Sequence, residues 1–267
     1  MLNRNPKISV VMASHNGEKF IKEAIDSILG QTFSDFEFLI IDDGSTDLTA
    51  VILQEYSQRD QRIIIFTNKE CLGLTKGLNS LIKQAKGEYI ARMDDDDISF
   101  KSRLEKQMDF MQKNPEFALA GVMAFLINKK SEIIGEKKLT VTSEQIKKQL
   151  LFNNQIIHSS WFARKDILIK EGLYNEKFKK AQDYEFVLRL AAKYKIANLP
   201  ENLLKYRVLK TSLSWQNKEQ QKFAIKARWL AITKYGYPKL QGLLHIVIRC
   251  IWLYVPKWVK MRKYHKV

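Results

Sequence analysis

Gly87-Glu88-Tyr89-Ile90-Ala91-Arg92-Met93-Asp94-Asp95-Asp96-Asp97 is the stretch on which the reading of this chain turns. Its first half is a short apolar run of strand type and its second half is four adjacent carboxylates, so a strand ends in acid. Like charges this close raise one another's pKa, and a folded chain keeps them together only where water, a cation or a cationic partner offsets them. Phe38-Leu39-Ile40-Ile41 repeats the pattern earlier in the chain and closes on Asp42-Asp43. A divalent ion carrying a polyphosphate would satisfy both groups.

Outward from these runs, apolar stretches over residues 8–12, 36–41, 63–66 and 89–93 read as strands. Between them Phe20, Ala24, Ile25, Ile28 and Leu29 recur at helical spacing, as do Leu74, Leu78, Leu81 and Ile82, with Gly30 and Gly87 as C-terminal stops. Alternating strands and helices predict an α/β fold with a Rossmann-like, mostly parallel sheet covered by helices on both faces. In open sheets of this kind ligands collect beyond the carboxyl ends of the strands. Asn16, Asp42-Asp43 and Asp94 to Asp97 all fall at such ends. Further on, the spacing predicts an amphipathic helix over about 102–113 closed by Asn114-Pro115, and a strand over 118–127. Thr142 and Gln145 form a capping box for a helix through Leu151, and residues 158–163 read as a strand. Helices follow at about 183–194, at 217–235 with Gly236 just beyond, and from about 240.

The 267 residues have room for one large α/β domain or two small ones. Cys71 and Cys250 fit no disulfide or metal-binding spacing, which suits a reducing compartment. The first seven residues lead into residues 8–12 and then directly into Ser14-His15-Asn16-Gly17, a pattern unlike a signal peptide, so a cytoplasmic protein is expected. No repeat, low-complexity tract or flexible linker breaks the chain.

Charge is unevenly spread. Of the 45 Lys and Arg and 29 Asp and Glu, residues 201–267 hold 15 cations against 2 Glu, which leaves 30 against 27 before them. Nucleic-acid binding is one explanation of such a tail and predicts strongly salt-dependent retention. The cations interleave, however, with Trp229, Trp252, Tyr254 and Trp258 and with the apolar run Leu243-Leu244-His245-Ile246-Val247-Ile248, a combination that favours an anionic membrane surface over nucleic acid. His245, Arg249 and Pro256 keep that run short of the ~20 apolar residues a spanning helix needs. The expected location is therefore cytoplasmic and peripheral, on the inner face of the cell membrane.

Four segments taken together resemble family 2 glycosyltransferases of the GT-A fold, in their order and spacing: residues 9–17, Ile41-Asp42-Asp43-Gly44-Ser45-Thr46-Asp47, Gly87 to Asp97, and Ala181-Gln182-Asp183-Tyr184. The resemblance spans about residues 7–215 and is strongest to bacterial members that build capsule, O-antigen or exopolysaccharide. It implies a GT-A domain over 1–215 followed by a basic amphipathic helical extension over 216–267. It also implies a nucleotide-sugar donor, an Asp-x-Asp motif that holds Mg²⁺ or Mn²⁺, inversion at the anomeric carbon and a glycan acceptor, lipid-linked in such pathways.

By that resemblance Asp94 and Asp96 are the metal ligands, with Asp95 at the variable position, and hard oxygen donors suit either ion. Ser14, His15, Asn16, Asp42, Asp43, Asp94, Asp95 and His158 form the implied donor-binding set. Asp43 would accept a hydrogen bond from the base while Asp42 orients it or the ribose; a plain turn leading into a helix explains the same residues. Asp183 matches the catalytic base, and its competing role is to cap the following helix; Glu185 is the fallback. Lys76 and Arg92 are candidates for phosphate, and a solvated Lys76 is the alternative. His stands at 15 where Tyr is usual, Leu78 replaces a frequent Arg, and Leu209 in Tyr206-Arg207-Val208-Leu209 replaces a frequent His. Those departures leave open a silent GT-A subunit that binds nucleotide or partners without catalysis.

Overall fold

The computed structural model describes residues 5–209 and 218–255. The first half alternates β1 (Ile8–Ser14), α1 (Ile21–Leu29), β2 (Phe36–Asp43), α2 (Thr49–Arg59), β3 (Ile63–Asn68), α3 (Leu74–Gln84) and β4 (Tyr89–Arg92). β2 is flanked by β1 and β3 and β1 by β4, all parallel, so the acidic ends of β2 and β4 lie on either side of the end of β1. All eight residues of β2 are buried, as expected of a strand covered on both faces.

Alternation along the strands sorts their side chains into two cores. Val10, Met12, Phe38 and Ile40 pack with α1, α2 and Leu104, Met108 and Met111 of α4 (Arg103–Lys113), while Val11, Leu39 and Ile41 pack with α3 and the later helices. Gly30 caps α1 as expected. Gly87 does different work: a Cβ there would lie 2.4 Å from the Ser9 backbone nitrogen, so glycine lets the chain pass against β1 on its way into β4.

Beyond the acidic run the sheet changes character. β5 (Ile98–Ser99), β6 (Phe117–Ile127), β7 (Ile133–Lys137), β8 (Phe162–Arg164) and β9 (Lys195–Arg207) extend it in the order β3-β2-β1-β4-β8-β6-β9-β5, with β7 beside β6. β8 runs antiparallel to both β4 and β6, β6 and β9 are parallel, and β5 pairs antiparallel with β9. The expected strand over 158–163 is instead a 3₁₀ turn, His158–Ser160, followed by β8. Ser159 and Ser160 are buried there and Ser160 Oγ bonds the Ile157 carbonyl, a local tie that competes with a strand ladder.

Helices α5 (Ser143–Leu150), α6 (Lys165–Lys170) and α7 (Gln182–Lys193) precede two more, α8 (Lys218–Lys234) and α9 (Lys239–Tyr254). Thr142 caps α5 through the Gln145 N–H, as its capping box predicts. Ala227, Ala231, Ile232 and Tyr237 join the core cluster of α3 and α7, and buried Arg228 donates to the Leu151 and Phe152 carbonyls at 2.7 and 2.9 Å. The core thus continues past residue 216. Asn217, Pro256 and Trp258, invoked in the sequence reading, lie outside the described residues.

Candidate active site

The first wall of the site is built where β1 and β2 end. Asn16 takes a left-handed conformation (φ 56°), its N–H donates to Ser45 Oγ at 3.0 Å and its Oδ1 accepts from the Thr46 N–H at 2.8 Å. Exposed His15 donates from Nδ1 to the Asp43 carbonyl at 2.9 Å, and Asp42 Oδ1 accepts the Ser45 N–H at 3.0 Å. A Cβ on Gly17 would stand 2.5 Å from both Ser14 Oγ and Asp95 Oδ2, so glycine admits the close approach of this loop to the acidic run.

Asp43 is buried, and both its oxygens are engaged by the protein. Oδ1 accepts from Asn68 Nδ2 at 2.7 Å and the Leu72 N–H at 2.9 Å, and Oδ2 from the Gly73 N–H at 2.7 Å and Cys71 Sγ at 3.3 Å. Burial alone would raise its pKa; the hydrogen bonds from Asn68, Leu72, Gly73 and Cys71 outweigh that and hold it below the usual carboxylate range. In this structure Asp43 is the post that pins the loop from β3 to α3 against β2.

The four acids divide their labour. Asp95 accepts a short hydrogen bond from Ser14 Oγ, which joins the acidic run to the end of β1. Asp97 is buried and accepts from Ser159 Oγ and, at 2.7 Å, from the Arg207 N–H. Asp94 is ion-paired with buried Arg92. Asp96 receives no hydrogen bond on its carboxylate from the described residues, and carboxylate oxygens of Asp94, Asp96 and Asp97 come within 4.8 Å of one another. Burial first, then the neighbouring carboxylates, push Asp95 up to about 6 and raise Asp96 and Asp97 as well. A group of hard oxygens short of positive charge, one of them unengaged, fits Mg²⁺ or Mn²⁺.

Three buried arginines hold this run from beneath. Arg103 donates to the Arg92 and Ser159 carbonyls at 3.3 and 2.7 Å. Arg207 donates to the Asp96 carbonyl at 2.7 Å, the Asn128 carbonyl at 2.9 Å and Glu23 at 3.0 Å, and lies over the Phe20 ring. Arg92 was expected to be a candidate for phosphate; here its guanidinium is 2% exposed and directed to Asp94.

The opposite wall carries Asp183 in the first turn of α7. Ala181 before it is left-handed (φ 54°), and Asn154 Nδ2 donates to Asp183 Oδ2 at 2.9 Å. Burial raises the Asp183 pKa; the Tyr184 N–H and Arg92 pull it down and Asp94 pushes it up, so this carboxylate feels the field of the acidic run. Glu185 is no reserve for it. Glu185 is wholly buried, binds Arg189 at 3.0 and 3.1 Å and accepts from Tyr235 Oη at 2.6 Å. His158 is bonded through Nε2 to Tyr174 Oη at 2.7 Å and packs edge-on against Trp161; burial and Arg92 keep it neutral.

Of the other positions, Lys76 is exposed on α3, and Leu78 is fully buried in the core, where an Arg would need a charged partner. Leu209 is half-buried at the end of a described segment. The sequence reading missed Asn154, Arg103 and the anchoring roles of Ser159 and Arg207. Their partners lie far off in the chain, Asp97 being 110 residues from Arg207, and no local spacing signals that. A hollow of about 560 Å³ is lined by Asn79, Lys83, Tyr174, Glu176, Glu185 and Arg189 and includes no carboxylate of the acidic run.

The family model described as Glycosyl transferase family 2 matches residues 9–172. An uncharacterized glycosyltransferase of Methanocaldococcus jannaschii is 36% identical over 232 residues, 84% of this chain and 80% of that protein. The O-antigen biosynthesis glycosyltransferase WbnJ of Escherichia coli is 37% identical over 222 residues, 82% of this chain and 83% of its own. Among solved structures, S. aureus TarS 1-349 in complex with UDP-GlcNAc superimposes with a TM-score of 0.70 at 21% identity, over 91% of this chain and 72% of that one. Mannosyltransferase PcManGT from Pyrobaculum calidifontis, in complex with GDP-Man and Mn²⁺, gives 0.72 at 14% identity over 94% and 73%. These likenesses establish the expected GT-A fold. With a family match across more than half of its length, relatives above 30% identity along most of both chains and carboxylates gathered at the strand ends, this chain belongs to glycosyl transferase family 2.

Proposed function

We propose that this chain is an inverting, metal-dependent transferase that moves a hexosyl unit from a nucleotide-sugar donor to a hydroxyl of a lipid-linked glycan during cell-surface polysaccharide synthesis. The observation that carries the proposal is the hydrogen bond from Ser14 to Asp95, which ties the ends of β1 and β4 together, with Asp183 at the start of α7 lying within the electrostatic reach of Asp94 and Arg92. WbnJ, named for O-antigen biosynthesis, supports the pathway, and the nucleotide sugars in TarS and PcManGT support the donor class.

In this reading Ser14, His15, Asn16 and Asp42 line the nucleoside end, with the loop pinned by Asp43 as its floor. Asp94 and Asp96 hold Mg²⁺ or Mn²⁺, which when bound offsets the charge that builds on the departing nucleoside diphosphate. Asp183 takes the proton of the attacking hydroxyl, and Asn154 orients the carboxylate that does so. A single displacement from the face opposite the leaving group inverts the anomeric centre. The neutral His158 and Tyr174 pair shapes the floor between the two walls. The test is a screen of UDP-, GDP- and dTDP-sugars with Mn²⁺ for hydrolysis and transfer; a well-folded protein that turns over none of them ends this reading.

The extension over 216–267 serves membrane contact in the same proposal. α9 exposes an apolar stripe on successive turns, with Leu240 84%, Leu244 58%, Ile251 62% and Tyr254 86% accessible, and Lys239 and Arg249 lie on the same helix. None of the described helices is long and apolar enough to cross a bilayer. Flotation with anionic vesicles should carry the wild type upward, while Leu244→Glu with Ile251→Glu stays at the bottom of the gradient. Equal flotation of both would refute membrane contact through this stripe.

A further inference from the structure

Among the described residues, buried Arg92, Arg103 and Arg207 each donate to protein acceptors near the acidic run, although Nε and Nη1 of Arg92 and Nε and Nη2 of Arg103 have no partner. Arg92 is paired with Asp94, Arg103 donates to two backbone carbonyls, and Arg207 serves the Asp96 and Asn128 carbonyls and Glu23. A further basic residue is Lys137, the last of β7. Its strand is laid beside β6 with Ala124 opposite Lys137, and β6 in turn pairs with β9, Leu126 opposite Tyr206. That ladder sets the Lys137 ammonium 4.8 Å from the centre of the Tyr206 ring, immediately before the Arg207 that grips Asp97.

Lys137 has no hydrogen-bonded or ion-paired acceptor among the described residues. Burial lowers its pKa, while Asp97 from the acidic run and Asp183 from the opposite wall both raise it. A half-buried ammonium attracted by carboxylates on both sides of a cleft, yet bonded to neither, is placed to receive an anionic oxygen that arrives with a ligand.

Resting on the transferase reading above, we propose that Lys137 is a positioning residue of the donor site: its ammonium contacts the distal phosphate of the nucleoside diphosphate, between the acidic run and Asp183. The charge balance supports this. A divalent ion held by Asp94 and Asp96 would be neutralised by them, so the charge that grows on the diphosphate as the sugar leaves needs a further cation; the three arginines are sealed in the core, whereas Lys137 is partly exposed and has no acceptor among the described residues. No proton is transferred in this role; the contact is a charge-assisted hydrogen bond that strengthens as the sugar–oxygen bond breaks.

The experiment compares binding of a nucleoside diphosphate with that of the matching monophosphate, in Mn²⁺, for wild type, Lys137→Met, Lys137→Gln and Lys137→Arg, using whichever base the wild type prefers. Lys137→Met and Lys137→Gln should weaken the diphosphate roughly tenfold or more and leave the monophosphate unchanged, and Lys137→Arg should recover most of the loss. If the ratio of the two affinities is unaltered in both neutral variants, whether or not both ligands weaken together, Lys137 only tempers the acidic field and the proposal is overturned. A wild type that binds neither nucleotide would instead remove the transferase reading, and this inference with it.

Discussion

Asp183→Asn should lower sugar transfer by about 10³-fold and leave donor affinity within about twofold of the wild type. Asparagine keeps the shape of the residue and a carbonyl oxygen for Asn154 Nδ2, so α7 and the cleft wall should stand. What goes is the carboxylate that takes the proton in the proposed reading. Glu185 cannot replace it, being wholly buried and bound to Arg189 and Tyr235. The pH profile is the sharper readout. Burial raises the Asp183 pKa, and the base works only when ionised, so the rate should rise with pH along a limb set above the ordinary carboxylate range. That limb should vanish in the residual rate of Asp183→Asn. A variant with wild-type turnover would leave Asp183 as no more than the first turn of a helix.

Asp96→Ala should abolish the response to divalent cation: Mn²⁺ should no longer tighten donor binding, and transfer should fall at least ~100-fold. The same variant should be as stable as the wild type without metal, or more so. Its carboxylate receives no hydrogen bond from the described residues and is repelled by Asp94, Asp97 and Asp95, so removing it relieves like-charge repulsion. A residue that served the fold would behave in the opposite way.

The pH dependence of stability follows from the same charges. Burial and neighbouring carboxylates raise Asp95, Asp96 and Asp97 in the folded state above the unfolded value near 3.8. Their contribution is therefore complete below that value and is lost as pH rises through the folded pKa values, the first of them near 6. Metal-free protein should lose melting temperature across that range, and Mn²⁺ should flatten the fall or reverse its sign. A metal-free melting temperature indifferent to pH there, unchanged by Mn²⁺, would contradict the account.

The parallel half of the sheet was legible because its strands are buried on both faces, and continuous apolar runs such as residues 36–41 declare that directly. β9 escaped notice for a physical reason. Pro200, Glu201 and Asn202 interrupt its alternation, and the pairing with β6 shifts register there. Buried Asn198 on the same strand looks like a loop residue, yet its side chain bonds the Thr140 and Gln155 carbonyls from distant parts of the chain. Within the site, the acidic run itself could be read, but not the division of work inside it. Whether an acid faces solvent or a buried partner depends on Ser14, Ser159 and Arg207, which only the folded sheet brings near. Asp183 and Glu185 show the same limit at short range. Two residues of helix rotate a side chain by about 200°, so Glu185 is sealed in the packed interior while Asp183 keeps partial exposure.

The central claim is that one cation site joins segments remote in sequence, and paramagnetic broadening of the amide spectrum by Mn²⁺ in the presence of nucleoside diphosphate, referenced to Mg²⁺, tests it most directly. The account predicts that Ser14, Asp94 to Asp97, Ser159 and Asp183 lose intensity together at low Mn²⁺ occupancy, while the exposed stripe of α9 keeps its signals. Broadening confined to the acidic run, with Ser14 and Asp183 untouched, or centred on some other surface, would contradict it.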